Sequence, residues 1–364
     1  MEAVKSKRET TWLTKDKRPI VIAGPCSAET EEQVLETAKR LKATNKMDIY
    51  RAGIWKPRTR PGSFEGVGVK GLPWLQRVKK EVGLPVTIEV AKAKHVELAL
   101  AFDIDILWLG ARTTVNPFAV QEIADALRGV DIPVLVKNPI NPDLSLWIGS
   151  MERLTKVGVK EIGAIHRGFS NRGEKFYRNR PQWQIALDFV RRMPEIPILC
   201  DPSHICGRRD ILQEVGQKAM DLDFDGLMIE SHIDPDNAWS DAAQQITPEV
   251  FGAMITEMVL REDFEDNPVL QSKLEYLREE IDHIDDELMN LLANRMKVAR
   301  DIGAYKKENN MTILQQRRWN DTLQKAKNLA ANRELSEDFI IKLINAIHQE
   351  SINQQETIFK TNNK

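Results

Sequence analysis

Eight short apolar runs divide the first two-thirds of the chain, and each run is followed by a residue able to bind or react. The run at 133–136 is followed by Lys137, and the run at 197–200 is followed by Asp201-Pro202-Ser203-His204. Apolar runs of this length that end abruptly at polar residues indicate buried strands followed by loops. Eight strand–helix units with polar groups at the carboxyl ends of the strands predict an α/β fold, a (β/α)₈ TIM barrel with its active site at that end.

The predicted strands alternate with segments that have helical periodicity. The strands are expected at 20–23, 48–51, 85–88, 105–108, 133–136, 161–165, 197–200 and 226–229. Helices are expected at about 30–43, 92–101, 117–127 and 248–261. The stretch 53–73 is rich in glycine and proline, which predicts a long loop.

Composition narrows the class of protein. A chain of 364 residues exceeds a barrel of about 250 residues, so a second, smaller unit is expected. A net charge of −2 gives no electrostatic reason to expect a nucleic-acid partner. No run approaches the ~18 apolar residues of a membrane span, and the three cysteines form no zinc or redox motif. These features predict a cytoplasmic protein without a membrane partner.

The composition changes at an acidic stretch that ends at Pro268. We place the barrel at 1–262, a linker at 263–268 and a second domain at 269–364. Beyond the linker, apolar residues recur at helical steps from Leu270 to Tyr305, which predicts one helix of about 40 residues. Two shorter helices are expected near 317–330 and 336–357. Since they cannot cover a helix of roughly 60 Å, this all-α three-helix domain is expected to form an intertwined dimer.

Four residues with metal-binding side chains follow predicted strands. They are Cys26, His204, Glu230 and Asp241. A thiolate, an imidazole and two carboxylates suit a divalent transition metal such as Mn²⁺, Fe²⁺ or Zn²⁺. Each residue also has a simpler interpretation, because a buried cysteine packs as a small apolar residue and a histidine can stabilise its own loop. Convergence of all four at one end of a barrel favours the metal site.

Basic residues follow the same strands or lie on the long loop. They are Arg51, Lys56, Arg58, Arg112, Lys137 and Arg167. Surface lysines and arginines commonly form only a solvated face, but cations at strand ends face the barrel axis. Several cations beside a metal predict a substrate with several negative charges, such as a carboxylate with a phosphate, held by bidentate arginines.

The order of these motifs resembles that of the 3-deoxy-D-arabino-heptulosonate 7-phosphate (DAHP) synthase family, in its short type I form, over residues 12–260. The motifs are GPCS at 24–27, Arg51 with KPRT at 56–59, GAR at 110–112, KN at 137–138, HRG at 166–168, DPSH at 201–204, and Glu230 with SD at 240–241. The resemblance implies that the four candidate ligands bind a divalent metal. Mn²⁺ is expected, and Fe²⁺, Zn²⁺ and Co²⁺ are the alternatives.

The resemblance also implies the substrates. Phosphoenolpyruvate would contact Arg51, Lys56, Arg112, Lys137 and Arg167, and erythrose 4-phosphate would contact Arg58 and Thr59. The two would condense to DAHP and phosphate, with Lys56 as the catalytic proton donor to the aldehyde oxygen. The related octulosonate 8-phosphate synthases carry Lys-Ala-Asn where this chain has Lys56-Pro57-Arg58. The Pro-Arg pair favours the four-carbon aldose phosphate, and an octulosonate 8-phosphate synthase barrel is the alternative.

The helical tail places several polar residues on shared faces. Arg295 and Lys306 are eleven residues apart, close to three turns, so both lie on one face. Arg278 is seventeen residues before Arg295 and is turned by about 100°, so it is expected to serve the partner's site in a dimer. Ser351 and Gln355 share a face of the last helix. The simpler interpretation is a solvated face on a dimerisation helix.

Together these residues resemble the all-helical chorismate mutase domain, over about 270–356. The resemblance implies that chorismate is bound by Arg278 of the partner chain and by Arg295, Lys306, Arg318, Ser351 and Gln355. Arg295, Lys306 and Gln355 would then be catalytic, by stabilising the charge that develops as the C–O bond breaks, with no cofactor. Gln315 and Trp319 depart from an acidic pair in the family, which alters the contact to the substrate hydroxyl.

The two resemblances together predict a bifunctional enzyme of aromatic amino acid biosynthesis. In the alternative, the helical domain is a non-catalytic sensor of chorismate or prephenate, or only a dimeriser. Fusion of a first pathway enzyme to a branch-point domain also predicts feedback, in which prephenate or chorismate bound to the tail inhibits the barrel. Of the two, prephenate is the expected effector.

Overall fold

The computed structural model describes residues 13, 19–57, 62, 64–170, 173, 176–261 and 268–360. The chain falls into two compact units, Met1–Arg261 and Glu262–Lys364. Apart from Pro268, the linker predicted at 263–268 lies outside the described residues. The exact domain boundaries therefore stay a prediction.

Eight parallel strands close into a barrel in the order in which they occur along the chain, with β8 returning to β1. The strands are β1 (Ile20–Gly24), β2 (Ile49–Arg51), β3 (Val86–Val90), β4 (Ile106–Leu109), β5 (Val134–Lys137), β6 (Ile162–His166), β7 (Ile198–Cys200) and β8 (Gly226–Glu230). The predicted barrel is thus confirmed. Most strands begin one residue later than the sequence indicates.

The late starts have a physical reason at two strands, β2 and β4, where an aspartate precedes the first strand residue. Asp48 and Asp105, and likewise Asp225 before β8, each accept a hydrogen bond from a backbone N–H of a neighbouring strand, at 2.7–2.9 Å. These carboxylates satisfy backbone donors at the amino-terminal end of the barrel, and the regular ladder starts after them.

Helices surround the barrel between the strands. They are α1 (Glu31–Ala43), α2 (Gly71–Arg77), α3 (Ala93–Ala101), α4 (Ala111–Thr114), α5 (Pro117–Ala126), α6 (Leu144–Lys156), α7 (Trp183–Arg192), α8 (Pro202–Cys206), α9 (Leu212–Asp221) and α10 (Pro248–Glu257). Thr30 caps α1 by accepting from Gln33 N–H at 3.1 Å. The start of that helix agrees with the sequence pattern.

Two helices differ from the sequence prediction. α2 lies inside the stretch predicted as loop, and its Pro73 sits in the first turn, where a missing N–H costs nothing. α10 ends at Glu257, before Arg261. There the Gln217 side chain donates to Val259 O and accepts from Val259 N–H, which draws the chain out of the helix.

Strand residues alternate between two cores. Nine inward residues, together with Leu13, fill the barrel interior: Ile20, Ile22, Ile49, Ile106, Trp108, Leu135, Ile165, Leu199 and Met228. The outward residues pack under the helices in a larger cluster. Because side chains alternate along a strand, the polar residue two positions beyond each of several inward apolar residues also points inward, at the carboxyl end. This register creates the site.

The second unit consists of three helices, α11 (Pro268–Glu308), α12 (Gln316–Ala331) and α13 (Glu337–Lys360). α13 packs against both other helices. The predicted long helix and its two shorter partners are confirmed. Large apolar side chains on α11 are 42–66% exposed, including Leu274, Ile281, Ile284, Leu288 and Leu291. Within the described part of the chain, no helix combines the length and apolar content needed to cross a membrane.

Candidate active sites in the barrel and the helical unit

The inward register brings residues of both charges together at the carboxyl end of the barrel. Arg51 ends β2 and its Nη2 lies 3.2 Å from Glu230 Oε1 at the end of β8. Lys137 ends β5 and its Nζ donates to Asp201 Oδ2 at 2.7 Å. Both cations lie over the Trp108 ring, 5.0 and 5.8 Å from its centroid. All of these polar residues are buried, so their charges are held in a medium of low dielectric constant.

Three of the four predicted metal ligands form one cluster. Ligand atoms of Cys26, Glu230 and Asp241 all lie within 4.8 Å of one another. The fourth, His204, has Nε2 at 3.8 Å from Glu230 Oε1. Glu230 Oε1 is buried and accepts no hydrogen bond from any described residue. A sulfur, a nitrogen and carboxylate oxygens at this spacing fit a divalent metal ion.

The protonation of the cluster also fits a metal. Burial, and then the Glu230 charge, raise the pKa of Cys26 to about 12, so the thiol keeps its proton until a cation compensates it. Burial lowers the pKa of His204, which leaves a neutral imidazole able to ligate. Although burial opposes it, the charge of Arg178 holds the pKa of Asp241 below its usual value. The carboxylate is therefore ionised.

Lys56 reaches the same cluster from the loop after β2. Its Nζ donates to the Cys26 carbonyl at 2.8 Å and lies 2.9 Å from Cys26 Sγ. The backbones come this close because Gly53 has no side chain; a Cβ there would lie 2.7 Å from the Cys26 carbonyl oxygen. Lys56 thus stands beside the candidate metal ligands, while Arg58 and Thr59 lie outside the described residues.

Buried guanidinium groups at the barrel mouth retain donors without partners. Arg51 Nε and Nη1 and Arg167 Nε are buried and bond to no described residue. Burial lowers the pKa of Arg167 to about 10, and the nearby cations Arg178 and Arg112 act in the same direction. Arg112 itself is exposed on α4. Unsatisfied cationic donors of this kind fit an anionic ligand.

Sequence reasoning missed the residues that hold the ligands in place. Asp201 pairs with Lys137 and also lies 2.8 Å from His204 Nδ1, which orients that imidazole. The loops after β1 and β8 are joined by Gln245, which accepts from Cys26 N–H at 2.9 Å. Glu29 accepts from Trp239 N–H at 2.7 Å in the same pair of loops.

Only the DPSH motif marked Asp201 in the sequence, where it follows a strand as the predicted ligands do. Gln245 and Glu29 carry no such mark. Their partners are 219 and 210 residues away along the chain, so no local pattern could identify them.

The helical unit contains a cavity of about 440 Å³ with residues from all three helices. It is lined by Arg295, Val298, Ala299, Ile302, Lys306, Ile313, Gln315, Arg318, Trp319, Thr322, His348, Ser351, Ile352 and Gln355. Five of the predicted chorismate-binding residues meet there. Arg278 does not; its side chain is exposed elsewhere on α11.

Polar contacts organise this cavity. Arg295 Nη1 donates to Ser351 Oγ at 2.5 Å. Lys306 Nζ donates to Gln355 Oε1 at 3.2 Å and to the Ile313 carbonyl. Burial lowers the pKa of Lys306. The sequence did not indicate His348, whose ring stacks on Trp319 with 3.8 Å between centroids.

The relatives of this chain are consistent with the two sites. The chain is 33% identical over 238 residues to the phospho-2-dehydro-3-deoxyheptonate aldolase of Thermotoga maritima, covering 65% of this chain and 68% of the relative. A crystal structure of that DAHP synthase superposes with a TM-score of 0.59 at 31% identity, covering 66% of this chain and 68% of the other. The 2-dehydro-3-deoxyphosphooctonate aldolase of Legionella pneumophila is more distant, at 29% identity over 62% of this chain and 85% of its own length.

Family models divide the chain in the same way as the structure does. The DAHP synthetase I family model matches residues 3–263, and the chorismate mutase type II model matches residues 277–356. The chain therefore belongs to the DAHP synthetase I family and carries a chorismate mutase domain after its barrel.

Proposed function

We propose that the barrel mouth condenses phosphoenolpyruvate with erythrose 4-phosphate and that the helical cavity converts chorismate into prephenate. The observation that carries the barrel assignment is the three-residue ligand cluster beside buried arginine donors without partners. Such a site needs a cation on one side and a multiply charged anion on the other.

Phosphoenolpyruvate supplies that anion. Its carboxylate and phosphate would lie against Arg51, Lys56, Arg112, Lys137 and Arg167. Arg51 and Arg167 are buried and hold N–H donors that bond to no described residue, so they gain the most from a bidentate anion. The face of Trp108 supports Arg51 and Lys137 from the barrel interior.

Cys26, His204, Glu230 and Asp241 would hold a divalent metal, with Mn²⁺ proposed ahead of Fe²⁺, Zn²⁺ and Co²⁺. The bound ion supplies Lewis acidity at the aldehyde oxygen of erythrose 4-phosphate. Asp201 holds the His204 ring through Nδ1, which leaves Nε2 to face Glu230. Arg58 and Thr59 would contact the aldose phosphate.

Lys56 would deliver the proton in this reaction. A C–C bond forms between C3 of phosphoenolpyruvate and the aldehyde carbon, and the aldehyde oxygen takes a proton from the Lys56 ammonium. The position of Nζ, 2.9 Å from Cys26 Sγ, places that proton beside the ligand cluster. Water then adds at C2 and inorganic phosphate leaves, while the arginines hold both substrates in register.

The aldose specificity separates this proposal from the octulosonate alternative. Purified protein should consume phosphoenolpyruvate with erythrose 4-phosphate and leave arabinose 5-phosphate unused. Turnover of arabinose 5-phosphate at a comparable rate would contradict the assignment.

In the helical unit, the cations that line the cavity would bind the carboxylates of chorismate. Arg295, Lys306 and Arg318 all line the cavity, with Ser351 and Gln355 holding the first two. Lys306 and Gln355 would donate to the ether oxygen as the C–O bond breaks, which stabilises the developing charge. The reaction needs no nucleophile and no cofactor.

We propose that a second copy of this chain covers the exposed apolar face of α11 and supplies its Arg278. The face runs over many turns of a 41-residue helix, with Ile281, Ile284 and Leu291 each more than half exposed. An apolar stripe of that length is typical of a helix that pairs with another helix. Analytical ultracentrifugation should give a dimer, and substitution Ile284→Glu should weaken it.

Prephenate is the proposed feedback effector. If the helical cavity binds it more tightly in one conformation of the protein, the barrel responds by a coupling that is typically 5- to 150-fold in affinity. Saturating prephenate should therefore raise the concentration of phosphoenolpyruvate needed for half-maximal rate. Unchanged kinetics would exclude the coupling. The proposal also places the enzyme in the cytoplasm, which its three free, buried cysteines support.

The mutase assignment is tested with an Arg295→Ala variant. Chorismate turnover should fall by about 10²-fold or more, since a cation that holds a substrate carboxylate in place is lost, while condensation in the barrel continues. Arg300→Ala is the matched control, because Arg300 lies exposed on the same helix and, among the described residues, bonds only to half-buried Gln354. Turnover in neither parent nor variant would instead favour a sensor or dimeriser.

A further inference from the structure

The helical cavity has no carboxylate among its described lining residues. Chorismate presents two carboxylates and an ether oxygen, which accept hydrogen bonds, and one hydroxyl group, which must donate to something. Arg295, Lys306 and Arg318 can donate hydrogen bonds to the carboxylates and the ether oxygen of the substrate. The hydroxyl still requires an acceptor from the cavity.

Most acceptors that line the cavity are already engaged. Ser351 Oγ donates to the Ile347 carbonyl and accepts from Arg295. Gln355 Oε1 accepts from Lys306. Thr322 Oγ1 keeps its lone pairs but is held against its own helix, because it donates to the Arg318 carbonyl. The side chains of His348 and Gln315 form no hydrogen bond to any described residue. They are the two candidates for the substrate hydroxyl.

His348 has the better geometry and chemistry of the two. Its ring stacks on Trp319 with 3.8 Å between centroids and 25° between planes, which fixes the orientation of the imidazole. His348 lies three residues before Ser351, so both face the same side of α13. Burial, together with Arg295 and Lys306, lowers the pKa of His348, so one ring nitrogen is free to accept near neutral pH.

We propose that His348 is a specificity-determining residue of the mutase cavity, whose imidazole nitrogen accepts the hydrogen bond of the substrate hydroxyl, and that Trp319 positions the ring. This inference rests on the mutase function proposed above. The inference also gives Trp319 a role, although its indole has no hydrogen-bond acceptor. Trp319 on α12 stacks on the His348 ring and holds it in place, and His348 on α13 provides the acceptor nitrogen.

The test compares kcat/KM for chorismate and for 4-deoxychorismate, which lacks the hydroxyl, in the full-length protein. In the parent, kcat/KM should be about tenfold lower for the substrate that lacks the hydroxyl. A tenfold change corresponds to about 1.4 kcal/mol, which is the size expected for one buried hydrogen bond. In His348→Phe, which keeps an aromatic ring on Trp319, the two substrates should differ by less than about twofold. His348→Gln restores an acceptor and should recover a difference of about threefold or more.

Gln315→Met is the matched control, because it removes the rival amide at similar length. It should keep the tenfold preference of the parent. A preference that survives in His348→Phe, or that disappears in Gln315→Met, would overturn the assignment of His348. So would a parent that does not distinguish the two substrates. No chorismate turnover by the parent would contradict the mutase function itself, and the inference with it.

Trp319 is tested by the same readout. Trp319→Ala should reduce the preference for the hydroxylated substrate to about threefold, because the ring loses its brace. Trp319→Phe keeps the stacking and should recover the parental value. An equal fall in kcat/KM for both substrates in Trp319→Ala would show that the indole only shapes the cavity.

Discussion

The barrel mouth and the helical cavity both collect cations, but they neutralise them differently. In the barrel, Arg51 faces Glu230 and Lys137 pairs with Asp201, all of them buried. In the helical cavity, no described carboxylate pairs with Arg295, Lys306 or Arg318. One site carries its own counter-charges, whereas the other leaves them to its ligand.

Solvent explains the difference. A buried charge without a partner costs several kcal/mol, so strand ends that enclose arginines must also enclose carboxylates. Arg295 and Arg318 are exposed in a single chain, so water hydrates them until a dianion arrives. Lys306 is buried, and its ammonium donates instead to Gln355 Oε1 and the Ile313 carbonyl. When the barrel binds an anion, its arginines and lysine therefore exchange contacts with carboxylates for contacts with the ligand. In the helical cavity the cations gain new ion pairs with the ligand.

Metal removal should separate the two sites most strongly. After treatment with a chelator, condensation should fall to about 1% or less, because the thiol and carboxylates lose the ion that activates the aldehyde. Chorismate turnover should change by less than about twofold, since the cavity uses only side chains. Both rates are measured on one sample, and Mn²⁺ should restore the first. Equal loss of both activities would contradict independent chemistry in the two units.

Substitution Asp201→Asn tests whether the counter-charges of the barrel serve the metal. The variant keeps the shape of the side chain but loses the charge shared by Lys137 and His204. Metal affinity should fall about 10- to 100-fold, as for other residues that orient a ligating histidine. Asp210→Asn is the control, because Asp210 pairs with Arg208 on the surface. Metal titration of both variants measures their affinities. An equal loss of affinity in Asp210→Asn would show that the effect of Asp201→Asn is not specific to the metal site.

Binding of an anionic ligand should stabilise the helical unit, because the ligand neutralises the cations that line the cavity. At a prephenate concentration 100 times its Kd, the free energy of unfolding should rise by about 2.7 kcal/mol. Arg295→Ala should abolish this rise, since it removes one of the cations that bind the anion. Calorimetry with and without prephenate measures the shift. The same shift in the variant would place the ligand elsewhere.

The smallest predicted effect is a loss of stability of the barrel in acid, which comes from the buried residue His166. Burial among aromatic rings, and then the charge of Arg167, lower the pKa of His166 to about 3. An unfolded histidine binds a proton near pH 6.5, so the free energy of unfolding falls below that pH by up to about 1.4 kcal/mol per pH unit. The loss continues as the pH falls toward the pKa of the folded state. His166→Leu should remove this slope in urea unfolding between pH 6.5 and 5.5; parallel curves for parent and variant would contradict it.

The elements with a regular pattern could be predicted from the sequence. Each strand showed as an apolar run, and the 41-residue helix showed as a recurrence of apolar residues. α2 was missed because glycine and proline near Pro73 imitate a loop, although proline is tolerated in a first turn. The end of α10 depended on the contact between Gln217 and Val259, which are 42 residues apart.

The candidate sites divide in the same way. Cys26, Glu230 and Asp241 could be proposed together because each follows a strand, and Arg295 with Lys306 because eleven residues make about three turns. Their supporting residues could not. Gln245 reaches Cys26 only because closure of the barrel places β8 beside β1, and His348 meets Trp319 only when α12 and α13 pack.

By itself, the sequence determined the type and order of the elements and the chemistry available at each strand end, since periodicity and side-chain type are local properties. The tertiary structure alone decided which carboxylate neutralises which cation, which loops are joined by Glu29 and Gln245, and which ring braces His348. The reason is geometric. These contacts join residues that are distant along the chain, and only closure of the barrel and packing of the three helices bring them within bonding distance.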